Sequence, residues 1–171
     1  MNIRKGSHAD AETFIAFLKE VRAGMGHKDW LYVDPSEEIQ QMIKEGSFEF
    51  WMVYDDDGTL VAVFSVIHPG LSEMNYGYDL ELTREELLRV VNMDTIAVHP
   101  KYRGRGLQFS LMQHAENDVC AYEDKILLCT VHPDNQYSLK NILCLGYTIQ
   151  RKLEKYNSVR YILRKDSFKK I

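Results

Sequence analysis

The sequence predicts a mixed α+β fold in which one central sheet is flanked by helices. Short apolar runs of strand length alternate with longer segments whose apolar residues recur at helical spacing. Turn residues such as Asp-Gly separate adjacent strand-like runs, as they do between antiparallel strands. The resulting element order is β-α-α-β-β-β-α-β-α-β-β. At 171 residues, the chain is expected to form one domain that covers residues 1–171.

The N-terminal third predicts one strand followed by two helices. Residues 2–5 form the predicted strand, and a capping-box spacing at residues 7–10 precedes the first helix. The apolar face of that helix is formed by Phe14, Ile15, Phe17, Leu18 and Val21. The second helix is expected to have Asp34 as its cap and Pro35 as its first residue, and to end at Gly46.

An aromatic cluster, Trp30-Leu31-Tyr32, lies in the connector between these two helices. Core packing is the commoner role for such side chains. Lining a substrate cleft is the alternative, and the sequence leaves both interpretations open.

Two apolar runs, residues 48–54 and 60–67, predict an antiparallel hairpin closed by Asp55-Asp56-Asp57-Gly58. Three consecutive aspartates can suggest a metal site, but no further oxygen ligand follows them at calcium-loop spacing. We therefore interpret this segment as a solvated turn, and we expect no metal in the protein.

Residues 68–90 form a long excursion between two strands, and they are the least regular part of the sequence. The spacing of Thr83 and Glu86 predicts a short capped helix within it. Long excursions in small domains are often functional. A surface loop without any ligand contact is the alternative.

Residues 91–122 contain the most informative unit of the chain. The apolar run 91–98 is a strand, which Pro100 ends because proline cannot donate to a sheet ladder. The loop Tyr102-Arg103-Gly104-Arg105-Gly106 comes next. The helix after it has an apolar face formed by Leu107, Leu111, Met112, Ala115 and Val119. The free N–H groups and positive dipole end of such a helix, together with two arginines, predict a site for a phosphate-bearing ligand.

This loop matches neither of two common phosphate-binding motifs. A P-loop requires GxxxxGK[ST], which does not occur in the sequence. The dinucleotide motif GxGxxG requires a third glycine, and none follows Gly106 at the required spacing. The loop therefore needs a different explanation.

The C-terminal third predicts a buried strand, a helix and a closing hairpin. Residues 125–131 are the strand, and His132-Pro133-Asp134-Asn135 turns the chain into the helix. Leu145-Gly146-Tyr147 ends that helix. Residues 147–153 and 159–164 form the two strands of the hairpin.

Two parts of this pattern resemble the GNAT superfamily of acyl-CoA-dependent N-acyltransferases. The segment Arg103–Gln108 resembles the family motif [RQ]xxGx[GA], with Gln108 at the last, normally small, position. Asn135, the helix after it and Leu145-Gly146-Tyr147 resemble the block that follows the family's fifth strand. The resemblance covers nearly the whole chain. It implies a central mixed, mostly antiparallel sheet flanked by about four helices.

The resemblance implies an N-acetyltransferase that uses acetyl-CoA as co-substrate. The acetyl group would pass to a primary amine of a small molecule or protein, by direct attack in a ternary complex. The Val98 N–H would stabilise the oxyanion, and the pantetheine arm would pair with the strand that contains Val98. The implied cofactor-binding residues are Ile96, Ala97, Val98, Arg103, Gly104, Arg105, Gly106, Leu107, Gln108, Asn135 and Ser138.

The catalytic acid and base do not follow the family pattern. The position of the usual tyrosine acid is Ile142 here, and the nearest tyrosine on the same helix is Tyr137. A strand-four base in some members corresponds to Asn92. Asp94, on the same strand face, and His132, a residue type whose side chain is suited to proton relay, are therefore the candidate catalytic residues. Each has a structural alternative, Asp94 as a hydrogen-bond acceptor and His132 as a helix-entry residue. A non-catalytic CoA-binding or regulatory module is the alternative function.

Composition narrows the class of protein further. The formal net charge of −4 argues against a general nucleic-acid-binding protein, and no apolar run approaches the length of a membrane span. Three widely spaced cysteines, Cys120, Cys129 and Cys144, and an N-terminus without an apolar leader favour reduced thiols in a cytoplasmic protein. We expect acetyl-CoA and an amine as partners, and neither nucleic acid nor membrane. Dimers are common in the superfamily, so a homodimer is a further expectation.

Overall fold

The computed structural model describes residues 1–167, which form one seven-stranded sheet with five α-helices. The strands are β1 (Asn2–Lys5), β2 (Phe48–Tyr54), β3 (Leu60–Ile67), β4 (Val90–Val98), β5 (Lys125–Val131), β6 (Thr148–Lys155) and β7 (Ser158–Ser167). The helices are α1 (Ala11–Ala23), α2 (Ser36–Glu45), α3 (Arg84–Leu87), α4 (Leu107–Val119) and α5 (Gln136–Cys144). Their order confirms the predicted one, with α3 as an additional short helix.

The strand order in the sheet is β1-β2-β3-β4-β5-β7-β6. β4 and β5 are parallel and are joined by α4, whereas every other neighbouring pair is antiparallel. The sheet is therefore mixed and mostly antiparallel, as predicted.

Helices cover both faces of this sheet. The apolar stripe predicted for α4 packs with α5 on one face, in a core that includes Trp51, Phe64, Met93, Leu111, Met112, Ile142 and Tyr147. The stripe predicted for α1 packs with α2 on the other face, in a core that includes Phe14, Leu18, Ile39, Met52, Val63 and Ala97. Within residues 1–167, no helix is long and apolar enough to cross a membrane, and no group of three or more His, Cys, Asp or Glu side chains could hold a metal ion.

The start of α2 differs from the prediction by one residue. The helix begins at Ser36 with Pro35 as its N-cap, so Asp34 lies outside the helix and does not cap it. Gly46 ends the helix in a left-handed conformation, as expected of a C-terminal glycine. The Asp34 carboxylate instead lies near another acidic side chain, Asp94, which is described below.

The excursion at residues 68–89 contains a 3-10 turn at Tyr76–Leu80 and the predicted short helix, α3. Thr83 and Glu86 form the predicted capping box, with the Glu86 N–H 3.3 Å from the Thr83 hydroxyl. Tyr76 packs against Val90, Ile126 and Leu128. Since Leu127 and Cys129 face the α4 side, these partners place the excursion on the α1 and α2 side of the sheet.

Candidate active site

The centre of the sheet opens between β4 and β5. The two strands pair over only three positions, Val90 with Ile126, Val91 with Leu127 and Asn92 with Leu128. Beyond them β4 continues on β3 alone and β5 continues on β7 alone. The remainder of β4 therefore has a free edge toward β5, and an extended ligand can bind such an edge as an added strand does.

The register of β3 and β4 shows which backbone groups lie on this free edge. The His99 N–H donates to the Val61 carbonyl at 2.8 Å, so these two residues form a hydrogen-bonded pair. Antiparallel pairs alternate, which makes Ala62–Val98 and Phe64–Ile96 non-hydrogen-bonded pairs. The N–H groups of Val98 and Ile96 therefore point away from β3, toward the opening.

The basic loop continues directly from this edge. Gly104 and Gly106 adopt φ angles of 76° and 73°, in the left-handed region that favours glycine. No atom lies within 4 Å of a Cβ built on either glycine, so the loop surface is open. Gly106 is the N-cap of α4, and the first N–H groups of that helix have no partner one turn earlier. The loop thus has the open backbone and the helix terminus that an anion requires.

Gln108 links the start of α4 to the start of α5. Its side-chain amide donates to the Ser138 hydroxyl at 2.8 Å and accepts from Asn141 at 3.4 Å. Asn135 caps α5 by accepting from the Ser138 N–H at 3.2 Å. The long side chain at the normally small motif position is therefore turned toward α5. Gln108, Asn135 and Ser138, which were predicted to bind cofactor, lie in one contact network.

The acidic hairpin turn also contributes to the position of the basic loop. The Tyr102 hydroxyl donates to Asp55 at 2.5 Å, and the Arg105 guanidinium lies over the Tyr102 ring at 4.8 Å from its centroid. The Asp55 carboxylate also accepts from the N–H groups of Asp57 and Thr59. No sequence pattern predicted the contact with Tyr102, because an Asp-Gly turn is complete without a distant partner.

Replacement of Tyr102 by phenylalanine is expected to weaken acetyl-CoA binding several-fold. The change removes the hydroxyl that holds the loop to Asp55 and leaves the ring on which Arg105 rests. Isothermal titration calorimetry with acetyl-CoA measures the effect. Tyr122→Phe, at a position 84% exposed, is the matched control. Equal affinity of the Tyr102 variant and the control would contradict the assignment of a positioning role to this contact.

An irregularity in β4 determines the position of Asp94. Asp94 and Thr95 together lie opposite Ser65, because Phe64 pairs with Ile96 whereas Val66 pairs with Met93. This arrangement is a β-bulge. The Ser65 hydroxyl donates to the Asp94 carboxylate at 3.0 Å and accepts from the Thr95 N–H at 3.3 Å. The bulge therefore holds the carboxylate in a defined orientation beside the opening of the sheet.

The surroundings of Asp94 favour its protonated form. The side chain keeps a minor part of its surface accessible, while protein atoms surround it densely. Desolvation, together with the nearby Asp34 carboxylate, raises the pKa of Asp94 to about 7. Desolvation and the Glu38 charge likewise raise the pKa of Asp34 to about 6. A carboxylate with a near-neutral pKa is suited to accept a proton at physiological pH.

Three tyrosines from distant segments surround this carboxylate pair. Tyr32 stacks on Tyr156 with ring centroids 4.0 Å apart, and the Tyr156 hydroxyl lies 2.7 Å from that of Tyr76. The residues of the aromatic connector therefore have different surroundings. Leu31 is buried in the core with α1 and α2, whereas Tyr32 lies at the acidic site.

His132 lies at the end of β5 and has partners at both ring nitrogens. Its Nδ1 accepts from the Asp134 N–H at 3.1 Å, and its Nε2 lies 3.5 Å from the Asp29 carboxylate. A backbone N–H can only donate, so the proton of the neutral ring is on Nε2, facing Asp29. The lone pair that a general base needs is therefore already engaged.

The helix position of the usual family acid is structural in this chain. Ile142 is 3% exposed and packs in the core between α4, α5 and the sheet. Tyr137, the nearest tyrosine on α5, is 85% exposed. Neither contacts Asp94 or His132 among the described residues.

A mixed sheet whose central strands separate beside an open, basic loop is typical of one class of acyltransferases. The model of the Acetyltransferase (GNAT) family matches residues 15–147, so the chain belongs to that family. A search of curated proteins found no match to the chain.

Solved structures show the same fold at low identity. A GNAT-family acetyltransferase from Streptococcus agalactiae is 22% identical with a TM-score of 0.72, over 98% of this chain and 96% of that chain. A phosphinothricin acetyltransferase from Sinorhizobium meliloti, in complex with acetyl-CoA, is 13% identical with a TM-score of 0.71, over 98% and 88% of the two chains. A putative acetyltransferase from Salmonella typhimurium, with its cofactor acetyl-CoA, is 12% identical with a TM-score of 0.69, over 96% and 92%.

Proposed function

We propose that the protein is an N-acetyltransferase that transfers the acetyl group of acetyl-CoA to a primary amine in a ternary complex. The observation that carries this proposal is the free edge of β4, where the Val98 and Ile96 N–H groups point into the opening beside the basic loop. Two relatives of this fold are structures with acetyl-CoA. The single sheet that runs through the described residues supports treating the chain as one acetyltransferase domain.

Each part of the cofactor has a proposed set of contacts. The diphosphate would bind the main-chain N–H groups from Arg103 to Gln108, next to the positive end of the α4 dipole. Arg103 already folds back on the strand, with its Nε 3.4 Å from the Val98 carbonyl. The pantetheine amides would pair with Ile96 and Val98 at the free edge. Asn135 and Ser138 would approach the arm from α5.

Asp94 is the proposed general base, because its carboxyl is partly accessible and has a pKa of about 7, whereas the single lone pair of the neutral His132 ring accepts from a backbone N–H. Asp94 accepts a proton from the ammonium form of the substrate. The free amine nitrogen then attacks the thioester carbonyl carbon, and the Val98 N–H stabilises the resulting oxyanion. The C–S bond breaks as the amide forms. The nitrogen releases its second proton to solvent, and the departing CoA thiolate takes a proton from solvent. A thiol pKa near 8.5 makes that leaving group acceptable without a dedicated acid.

A release assay tests this function directly. Acetyl-CoA is offered with a panel of primary amines that includes monoamines, diamines, polyamines, arylamines, amino acids and a peptide with a free N-terminus and lysine. A thiol reagent measures CoA release. Release above the hydrolysis rate with at least one amine is the expected result. Calorimetric binding of acetyl-CoA without turnover across the panel would favour the non-catalytic CoA-binding module.

The rate is expected to depend on pH through Asp94. The base acts in its ionised form, so kcat/KM should rise with pH and level off above the raised pKa of about 7. An ordinary carboxyl, with a pKa near 3.9, would be fully ionised over this whole range. Initial rates between pH 5 and 9, with saturating acetyl-CoA, measure the ascending limb. A flat profile from pH 5 upward would remove Asp94 as the base.

A further inference from the structure

The excursion at residues 68–89 is attached to the sheet next to Asp94 by the buried Asn92, and a second buried asparagine, Asn75, holds the excursion together internally. Asn92, two residues before Asp94 on the same face, accepts from the Tyr76 N–H at 3.3 Å and donates to the Met74 carbonyl at 2.7 Å. Asn75 donates to the carbonyls of Gly70 and Leu87 and accepts from the Gly77 N–H at 2.8 Å. These contacts fix the backbone on both sides of Tyr76.

Tyr76 connects the carboxylate to a more accessible side chain. It is 3% exposed, and its hydroxyl favours the charged form of Asp94. On its other side this hydroxyl lies 2.7 Å from the hydroxyl of Tyr156, which is half-buried at the β6–β7 turn. The three groups thus run from the interior of the site toward the surface.

Such a path would let the proton leave while the amine is still bound. The accessible side of Asp94 is the side from which the acceptor must approach, so a bound acceptor closes it to water. The Ser65 hydroxyl provides no route by which the proton could reach solvent, because Ser65 is fully buried and already bridges Asp94 and Thr95. The proton that Asp94 removes must still leave before the next turnover.

We infer that residues 68–89 serve to place Tyr76 against Asp94, and that the Tyr76 and Tyr156 hydroxyls carry the base's proton to solvent. This inference rests on the proposed function of Asp94. In each proton transfer, the Tyr76 hydroxyl accepts the proton from Asp94 and donates its original proton to the Tyr156 hydroxyl. The Tyr156 hydroxyl donates its original proton to water. No net charge remains on either tyrosine.

Other charged and titratable groups face this pair, and the test must keep them unchanged. Lys155 lies over the rings of Tyr76 and Tyr156, at 5.3 and 5.9 Å from their centroids, and pairs with Asp79 at 2.6 Å. The remaining groups are Asp34, Glu38, Tyr32 and Arg160. Tyrosine-to-phenylalanine changes remove a hydroxyl and leave all of these side chains in place.

The first experiment measures the pKa of Asp94 by carboxyl ¹³C NMR in protein with labelled aspartate, with Asp94→Asn to assign the signal. Tyr76→Phe is expected to raise the Asp94 pKa by about one unit, because a hydrogen-bond donor to the charged form is lost. Tyr78→Phe is the matched control. Its hydroxyl donates to the Leu71 carbonyl at 2.8 Å within the same segment and has no partner at Asp94. An unchanged Asp94 pKa in Tyr76→Phe would overturn the placement of Tyr76.

The second experiment measures kcat and KM over pH for the same variants and for Tyr156→Phe. Tyr76→Phe should lower kcat about tenfold and move the ascending limb to higher pH. Tyr156→Phe should lower kcat several-fold. The ascending limb of its pH profile should stay at the same pH, because Tyr76 still faces Asp94. KM for acetyl-CoA should stay the same in both. Wild-type kcat in Tyr156→Phe would overturn the proton path.

The two experiments separate this inference from the proposed function. If the unmodified protein releases no CoA with any amine, the transferase proposal fails and the proton path fails with it. The NMR result would still decide whether Tyr76 is placed against Asp94. If the protein turns over and Asp94→Asn does not, but Tyr76→Phe behaves like Tyr78→Phe, the proposed function stands and the inference is wrong.

Discussion

Asp94→Asn is expected to lower kcat/KM by about 10²–10⁴-fold, the usual contribution of a positioned general base. The amide has nearly the shape of the carboxylate and can still accept from the Ser65 hydroxyl, but it cannot take a proton from the amine. Acetyl-CoA affinity should stay within about twofold, because the proposed cofactor contacts lie on the free edge of β4 and on the basic loop. The thiol-release assay and calorimetry measure these two quantities.

The stability of the same variant distinguishes lost catalysis from lost folding. The pKa of Asp94 is higher in the folded protein than in the unfolded chain, so the folded state binds the proton more tightly. The stability that this proton provides is lost as the pH rises through about 7. At pH 8 the buried carboxylate is charged, and its replacement by asparagine should raise the melting temperature. A variant that is inactive because it is unfolded would instead show a lower melting temperature.

His132→Gln serves as the comparison for Asp94→Asn. Both ring nitrogens of His132 already have partners, so this change should leave the ascending limb of the pH profile in place. A loss of kcat/KM as large as that of Asp94→Asn, with the fold intact, would identify His132 as the base instead.

Gly104→Glu is expected to reduce acetyl-CoA affinity at least about 100-fold. A carboxylate a few Å from a phosphate costs several kcal/mol in a partly desolvated site, and each 1.4 kcal/mol is a tenfold change in affinity. The side chain would also occupy the open surface above the loop. Calorimetry with acetyl-CoA and with free CoA measures the loss, since both carry the same diphosphate.

Two further variants separate charge from backbone strain in this experiment. Gly104→Ala keeps the strain of a non-glycine residue at a φ of 76°, about 1–2 kcal/mol, without the charge. Gly46→Glu introduces the same residue at a φ of 79°, also in open space, at the end of α2. It should bind acetyl-CoA as the unmodified protein does. Unchanged affinity in Gly104→Glu would remove the loop from the proposed site.

Several features of the site could be predicted because neighbouring residues produce them. The basic loop, the helix that follows it and the N-cap at Asn135 depend on contacts within a few positions of the chain. The alternation along β4 correctly placed Asn92 and Asp94 on one face, since both lie beside Tyr76. The resemblance to the GNAT family added the fold and the proposed position of the cofactor-binding loop.

Other features depend on contacts between residues far apart in sequence. Asp55 and Tyr102 are separated by 47 positions, and Tyr76 and Tyr156 by 80. Asp34, predicted as a helix cap, lies instead near Asp94, where its charge raises the pKa of the Asp94 carboxyl. No local pattern encodes these neighbours, because each segment satisfies its own turn or helix without them.

Hydrophobic periodicity, glycines and helix caps act locally, so the mixed sheet and the open, basic loop beside its central strands follow from the residues of each segment. Which side chains surround Asp94 depends on the tertiary fold. The separation of β4 from β5, the bulge at Asp94 and the placement of Tyr76 arise from packing of distant segments. The pKa of a carboxylate depends on the charges and burial that such packing brings to it.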